Sequence, residues 1–193
     1  MTEPAAALGL TPSQTVGPYL SIGLFGGVIG SRLVDDADPR AIVLSGLVLD
    51  GAGEPVPDGV VEIWQANTAG RYAHPADIRD ELPLEDGFTG FGRSGTIDGG
   101  RFEFVVVKPG RVPWPEGGLQ APHLAISVFA RGLLKHAVTR MYFPDEAEAN
   151  ASDPVLRRLD EGQRRSLTAR AVAAGLQFDI VLQGPGQTAF FAV

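Results

Sequence analysis

Apolar and polar positions alternate along most of this chain with the period of strands. Ile42 to Leu49 is rich in isoleucine, valine and leucine, and the turn residues Asp50-Gly51-Ala52-Gly53-Glu54-Pro55 follow it. Val60 to Trp64 puts Val61 and Ile63 on one face and Val60, Glu62 and Trp64 on the other. In Arg101 to Val107, Phe102, Phe104 and Val106 oppose Arg101, Glu103 and Val105. Leu124, Ile126 and Val128 recur at period two, His136 to Phe143 suits a partner strand, and Phe178, Ile180 and Leu182 mark a late one. Short strands with frequent turns predict a mainly β fold, a sandwich or barrel. One helix interrupts them: Pro154 to about Val172 places Leu156, Leu159, Leu167 and Ala171 on one stripe, with Asp153 as N-cap and Pro154 in the first turn. Residues 1–40 hold Thr11-Pro12, Gly17-Pro18 and a polar Asp35–Pro39 stretch, and they read as an N-terminal arm ahead of a single β-sandwich domain at 41–193.

Composition sharpens the picture in three places. The chain has 193 residues, 25 of them glycine and 15 proline, which fits many turns in one domain. Its 16 basic against 23 acidic residues argue against a non-specific nucleic-acid binder. The densest basic cluster, Arg157, Arg158, Arg164 and Arg165, is broken by Asp160 and Glu161. The absence of cysteine removes disulfides, thiolate metal sites and cysteine nucleophiles. The first residues carry no basic segment ahead of an apolar one, and the Leu20–Ile29 stretch is far shorter than the ~20 residues of a membrane span. A cytoplasmic protein is expected.

No complete catalytic constellation stands out by spacing. Gly92-Arg93-Ser94-Gly95-Thr96 lacks the second glycine of a nucleophile elbow, and no phosphate-binding loop is present. The histidines are His74, His123 and His136, and a closed metal site would need all three or the help of carboxylate or phenolate donors. Read alone, His123 at the start of an apolar strand is a hydrogen-bonded core residue, and Tyr72 an amphipathic packing residue.

Taken in order, the segments resemble the intradiol ring-cleavage dioxygenases, which use non-haem ferric iron. The signposts are Asp50 to Pro57, Val61-Glu62-Ile63-Trp64-Gln65-Ala66-Asn67, Gly70-Arg71-Tyr72, Phe91-Gly92-Arg93, Val107-Lys108-Pro109-Gly110, Ala121-Pro122-His123 and Met141-Tyr142-Phe143. The resemblance runs from about residue 11 to the end, and it implies a β-sandwich of the intradiol type. Within the family, Thr11 to Tyr19, Ser127 to Gly132 and the closing Phe178 to Phe191 are similar to the α subunit of two-subunit members.

That resemblance implies an iron site held by two tyrosines and two histidines. Tyr72 matches the first tyrosine and His123 the first histidine, whereas Val112 and Ala125 stand at the other two positions. Valine and alanine have no lone pair to offer, so this chain is not expected to bind iron or to act alone. The family places Fe(3+) on a homologous β subunit, with the active site where the subunits meet in a larger hetero-oligomer. The residues matching the α contribution are Thr15, Gly17, Pro18 and Tyr19 of the arm, with Arg131 suited to the carboxylate of an anionic catechol substrate. Two other readings stay open: a self-sufficient dioxygenase with a metal site remodelled around His74 or His136, and a non-catalytic β-sandwich binding module.

Overall fold

The computed structural model describes residues 30–192. The four arm positions Thr15, Gly17, Pro18 and Tyr19 lie outside the described residues. The described residues form eleven strands in chain order: β1 Ile42–Leu49, β2 Val60–Trp64, β3 Phe91–Gly95, β4 Arg101–Val106, β5 Val112–Pro113, β6 Leu119–Gln120, β7 His123–Phe129, β8 Ala137–Tyr142, β9 Arg170–Val172, β10 Gly175–Gln177 and β11 Ile180–Val181. One sheet is centred on β1, which pairs antiparallel with β4 on one edge and parallel with β10 and then β11 on the other, while β9 extends β10. The second sheet is antiparallel, in the order β3-β2-β7-β8, and β5 and β6 form a separate ribbon.

The alternation read from the sequence is what closes the sandwich. Leu44, Val48, Phe102, Phe104 and Val106 from the first sheet meet Val61, Ile63, Leu124, Ile126, Val128 and Met141 from the second in one buried core. The parallel partner of β1 changes from β10 to β11 around Gly46, where a Cβ would stand 1.8 Å from the Phe178 carbonyl oxygen. Only glycine fits that approach. The Asp179 carboxylate then accepts the Leu47 N–H at 3.0 Å, standing in for a strand carbonyl between β10 and β11. Residues 31–33 run along the free edge of β4: Val105 N–H donates to the Ser31 carbonyl at 2.9 Å, and Leu33 N–H donates to the Val105 carbonyl at 2.9 Å.

The helix expected over Pro154 to Val172 does not form as one piece. The chain instead makes α1 Ala147–Ser152, a 3-10 turn Leu156–Arg158, α2 Glu161–Ser166 and then strand β9. Asp153 does cap, but it caps the short turn: its Oδ1 accepts from the N–H groups of Val155 and Leu156. Leu159 is extended, and Asp160 restarts the helix through a capping box with Gln163. The apolar stripe is real in part, since Leu156 and Leu167 are buried, but they join a second small core with Ala121 and Tyr142.

Candidate functional site

The site lies on the outward face of the antiparallel sheet, at one end of it. Strand register sets it out. Trp64 pairs with Ala125, Ala125 with Arg140, and His123 with Tyr142, so these side chains share the face opposite Ile63 and Ile126 of the core. Long excursions after β2 and around the β5–β6 ribbon cover this end. Between them lies a cavity of about 640 Å³ whose wall includes Trp64, Tyr72, His74, Val112 and Gln120.

Two glycines in contact explain how Tyr72 and Val112 come to share that wall. A Cβ on Gly70, whose φ is +83°, would lie 2.3 Å from the Arg111 carbonyl oxygen, and one on Gly110 would lie 2.5 Å from the Gly70 nitrogen. The Gly70-Arg71-Tyr72 and Pro109-Gly110-Arg111 segments thus touch backbone to backbone. Buried Asn67 ties both down: its backbone carbonyl accepts from Gly70 and Gly110 N–H groups, each at 2.9 Å, and its side-chain oxygen accepts from Ala69 and Arg71. Tyr72 N–H donates to Asp77 at 2.8 Å, and the Tyr72 ring stacks on Trp64 with centroids 6.1 Å apart. The Arg79 guanidinium beside Asp77 holds that carboxyl well below the usual range.

Behind the cavity runs a buried polar network. Asp153 is fully buried, and its Oδ2 accepts the Ala121 N–H at 2.7 Å while its Oδ1 accepts from Val155, Leu156 and the Tyr142 hydroxyl. Arg140 Nη1 donates to Gln120 Oε1 at 2.7 Å and to the Tyr142 hydroxyl at 3.3 Å. Gln120 in turn donates to the Pro113 carbonyl at 2.9 Å, linking Arg140 to the cavity wall. The His123 Nδ1 lies 2.8 Å from the Ala121 carbonyl oxygen, which fixes the proton on Nδ1 and leaves Nε2 with its lone pair. Burial, seconded by the Arg140 charge, lowers the His123 pKa to about 4, so the ring is neutral at neutral pH. Burial likewise raises the phenols of Tyr72 and Tyr142, which stay protonated.

Of the four positions matched to a metal centre, Tyr72 and Val112 line the cavity, and His123 and Ala125 sit on β7 beside it. The donor set does not fit ferric iron. Val112 and Ala125 present no donor atom, and Arg140 stands opposite Ala125 in the strand pairing. Among the described residues no group of three or more His, Cys, Asp or Glu could hold a metal ion. His74 lines the cavity, whereas His136 stacks on Phe129 at the other end of the sheet. Arg131 is also at that far end, roughly 25 Å along β7 from His123 at ~3.3 Å per residue. It is exposed, with its Nε 3.0 Å from Asp58, and plays no part in this chain's own cavity. Sequence reasoning missed Gln120, Arg140 and Asp153, because only the β7–β8 register and the fold of residues 147–167 bring them to the site.

Comparison with known proteins agrees with this geometry. A family model described as "Dioxygenase" matches residues 30–184. The protocatechuate 3,4-dioxygenase alpha chain of Pseudomonas putida is 42% identical over 204 residues, covering 97% of this chain and 98% of that one. The beta chain of the same-named enzyme from Burkholderia cepacia is 40% identical over 157 residues, covering 76% of this chain and 66% of that one. Among solved structures, the dioxygenase domain of a carbohydrate-binding fusion protein from Streptomyces sp. SirexAA-E superposes with a TM-score of 0.58 at 25% identity, over 83% of this chain and 89% of that one. A β-sandwich with this order of segments, matched along nearly its whole length, belongs to the intradiol ring-cleavage dioxygenase family.

Proposed function

We propose that this chain is the α subunit of a protocatechuate 3,4-dioxygenase, in which a homologous β subunit holds the ferric iron. The reaction joins protocatechuate and O2 into 3-carboxy-cis,cis-muconate, both oxygen atoms entering the two carboxyl groups formed where the ring opens. The observation that carries this reading is the half-emptied donor set: Tyr72 and His123 keep their places, while Val112 and Ala125 offer no ligand atom. A chain that keeps the sandwich and loses the metal needs a partner to act. The similarity to both an alpha and a beta chain supports a pairing of two related sandwiches.

In this reading the chain supplies the wall of the partner's pocket. Thr15, Gly17, Pro18 and Tyr19 line it from the arm, with Gly17-Pro18 as a close, stiff backbone and Tyr19 as a planar face. Arg131, exposed at the far end of β7, reaches the substrate carboxylate across the subunit boundary. The assembly is cytoplasmic; no helix among the described residues is long and apolar enough to cross a membrane.

The test is reconstitution. The chain is co-expressed with its iron-bearing homologue, and O2 uptake with protocatechuate is measured for the pair and for each chain alone. The pair consumes one O2 per protocatechuate and this chain alone consumes none. Turnover by this chain alone, or failure of the two to copurify, overturns the assignment.

A further inference from the structure

We propose that the guanidinium of Arg140 is the fixed cation of this centre and keeps a metal ion out even where the missing donor atoms are restored. The inference rests on reading Tyr72, Val112, His123 and Ala125 as a former metal centre. Arg140 stands directly opposite Ala125 in the β7–β8 pairing, and the alanine methyl leaves the row open for a longer neighbour. The guanidinium is clamped there by two acceptors, Gln120 Oε1 at 2.7 Å and the Tyr142 hydroxyl at 3.3 Å, and it also lies over the Phe191 ring at 5.9 Å.

Neither clamp carries charge. Arg140 makes no ion pair among the described residues; its link to a carboxylate runs through the Tyr142 hydroxyl to Asp153. Its positive charge is therefore left to act on the neighbouring rings. His123 lies beside the Tyr142 ring, with centroids 5.6 Å apart, and the Tyr142 hydroxyl is the one that Arg140 holds. A second cation among these side chains would be repelled at short range in a partly buried setting, where screening is weak. Restoring donor atoms is thus not enough to restore a metal.

The experiment separates these causes. The full chain is prepared as Val112→Tyr/Ala125→His, as the same double variant with Arg140→Gln, and as the same double variant with Arg140→Lys. Each is loaded with ferric iron, and iron per chain is measured together with the visible tyrosinate-to-iron band. Only the variant carrying Arg140→Gln takes up iron and colour; the double variant and its lysine form stay at the level of the parent. Iron in the double variant with Arg140 intact overturns this inference and leaves the former-centre reading standing. Iron in none of the variants overturns both. Melting curves accompany each sample. Should Ala125→His prevent folding, the comparison is made in Val112→Tyr alone by ferric quenching of tryptophan fluorescence. There Arg140→Gln tightens binding at least tenfold, and an unchanged affinity overturns the inference.

Discussion

Replacing Asp153 by alanine removes the acceptor on which three backbone N–H groups and one hydroxyl converge. Ala121, Val155 and Leu156 donate to it at 2.7, 2.8 and 2.9 Å, and Tyr142 Oη at 3.3 Å. Ala121 is completely buried and Leu156 nearly so, so water does not easily replace the carboxylate there. A buried donor left without a partner costs roughly 1–3 kcal/mol. Allowing water to reach some of the 155–156 turn, Asp153→Ala is expected to lose about 3–5 kcal/mol of stability. That is a large part of the ~5–15 kcal/mol by which domains are usually stable. Asp153→Asn can keep the bonds to Val155 and Leu156 through its carbonyl oxygen but turns an NH2 toward the Ala121 N–H, so it should lose about 1–3 kcal/mol. The assay is urea unfolding of the three proteins at one concentration, with amide hydrogen exchange at Ala121 read alongside. Both variants within about 0.5 kcal/mol of the parent, with Ala121 still protected, would falsify the view that this carboxylate organises the site's rear wall.

The remaining predictions concern pH and the subunit boundary. His123 has a folded pKa of about 4 against an ordinary 6.5, so the unfolded chain binds more protons between those values. Its contribution to stability is complete above pH 6.5 and declines on acidification to about pH 4, by about 3 kcal/mol in all. Urea midpoints from pH 7 to 4.5 should fall less steeply in His123→Asn, and parallel profiles for parent and variant would contradict the assignment. In the assembled enzyme, Arg131→Ala should raise the KM for protocatechuate roughly 10- to 100-fold, the loss of one charge-assisted bond, without changing iron content. An unchanged KM sinks that role.

How much of this was legible beforehand follows from what kind of signal each element carries. β1 was bounded to the residue by its run of isoleucine, valine and leucine, and β2 by its two alternating faces. Residues 154–172 misled because Leu156, Leu159 and Leu167 keep a helical spacing while serving separate short elements. The Asp160–Gln163 capping box was the available sign that a new helix starts there. The matched positions Tyr72, Val112, His123 and Ala125 could be named from the order of motifs. Arg140 and Gln120 could not, because their meeting depends on strand register and on a two-residue ribbon that alternation is too short to reveal.

The most direct test of the central claim is the iron content and visible spectrum of this chain purified alone. The account predicts a colourless protein without bound iron, since Val112 and Ala125 donate nothing and Arg140 opposes a second cation. Stoichiometric iron with a tyrosinate charge-transfer colour would contradict it and show a working metal centre in this chain.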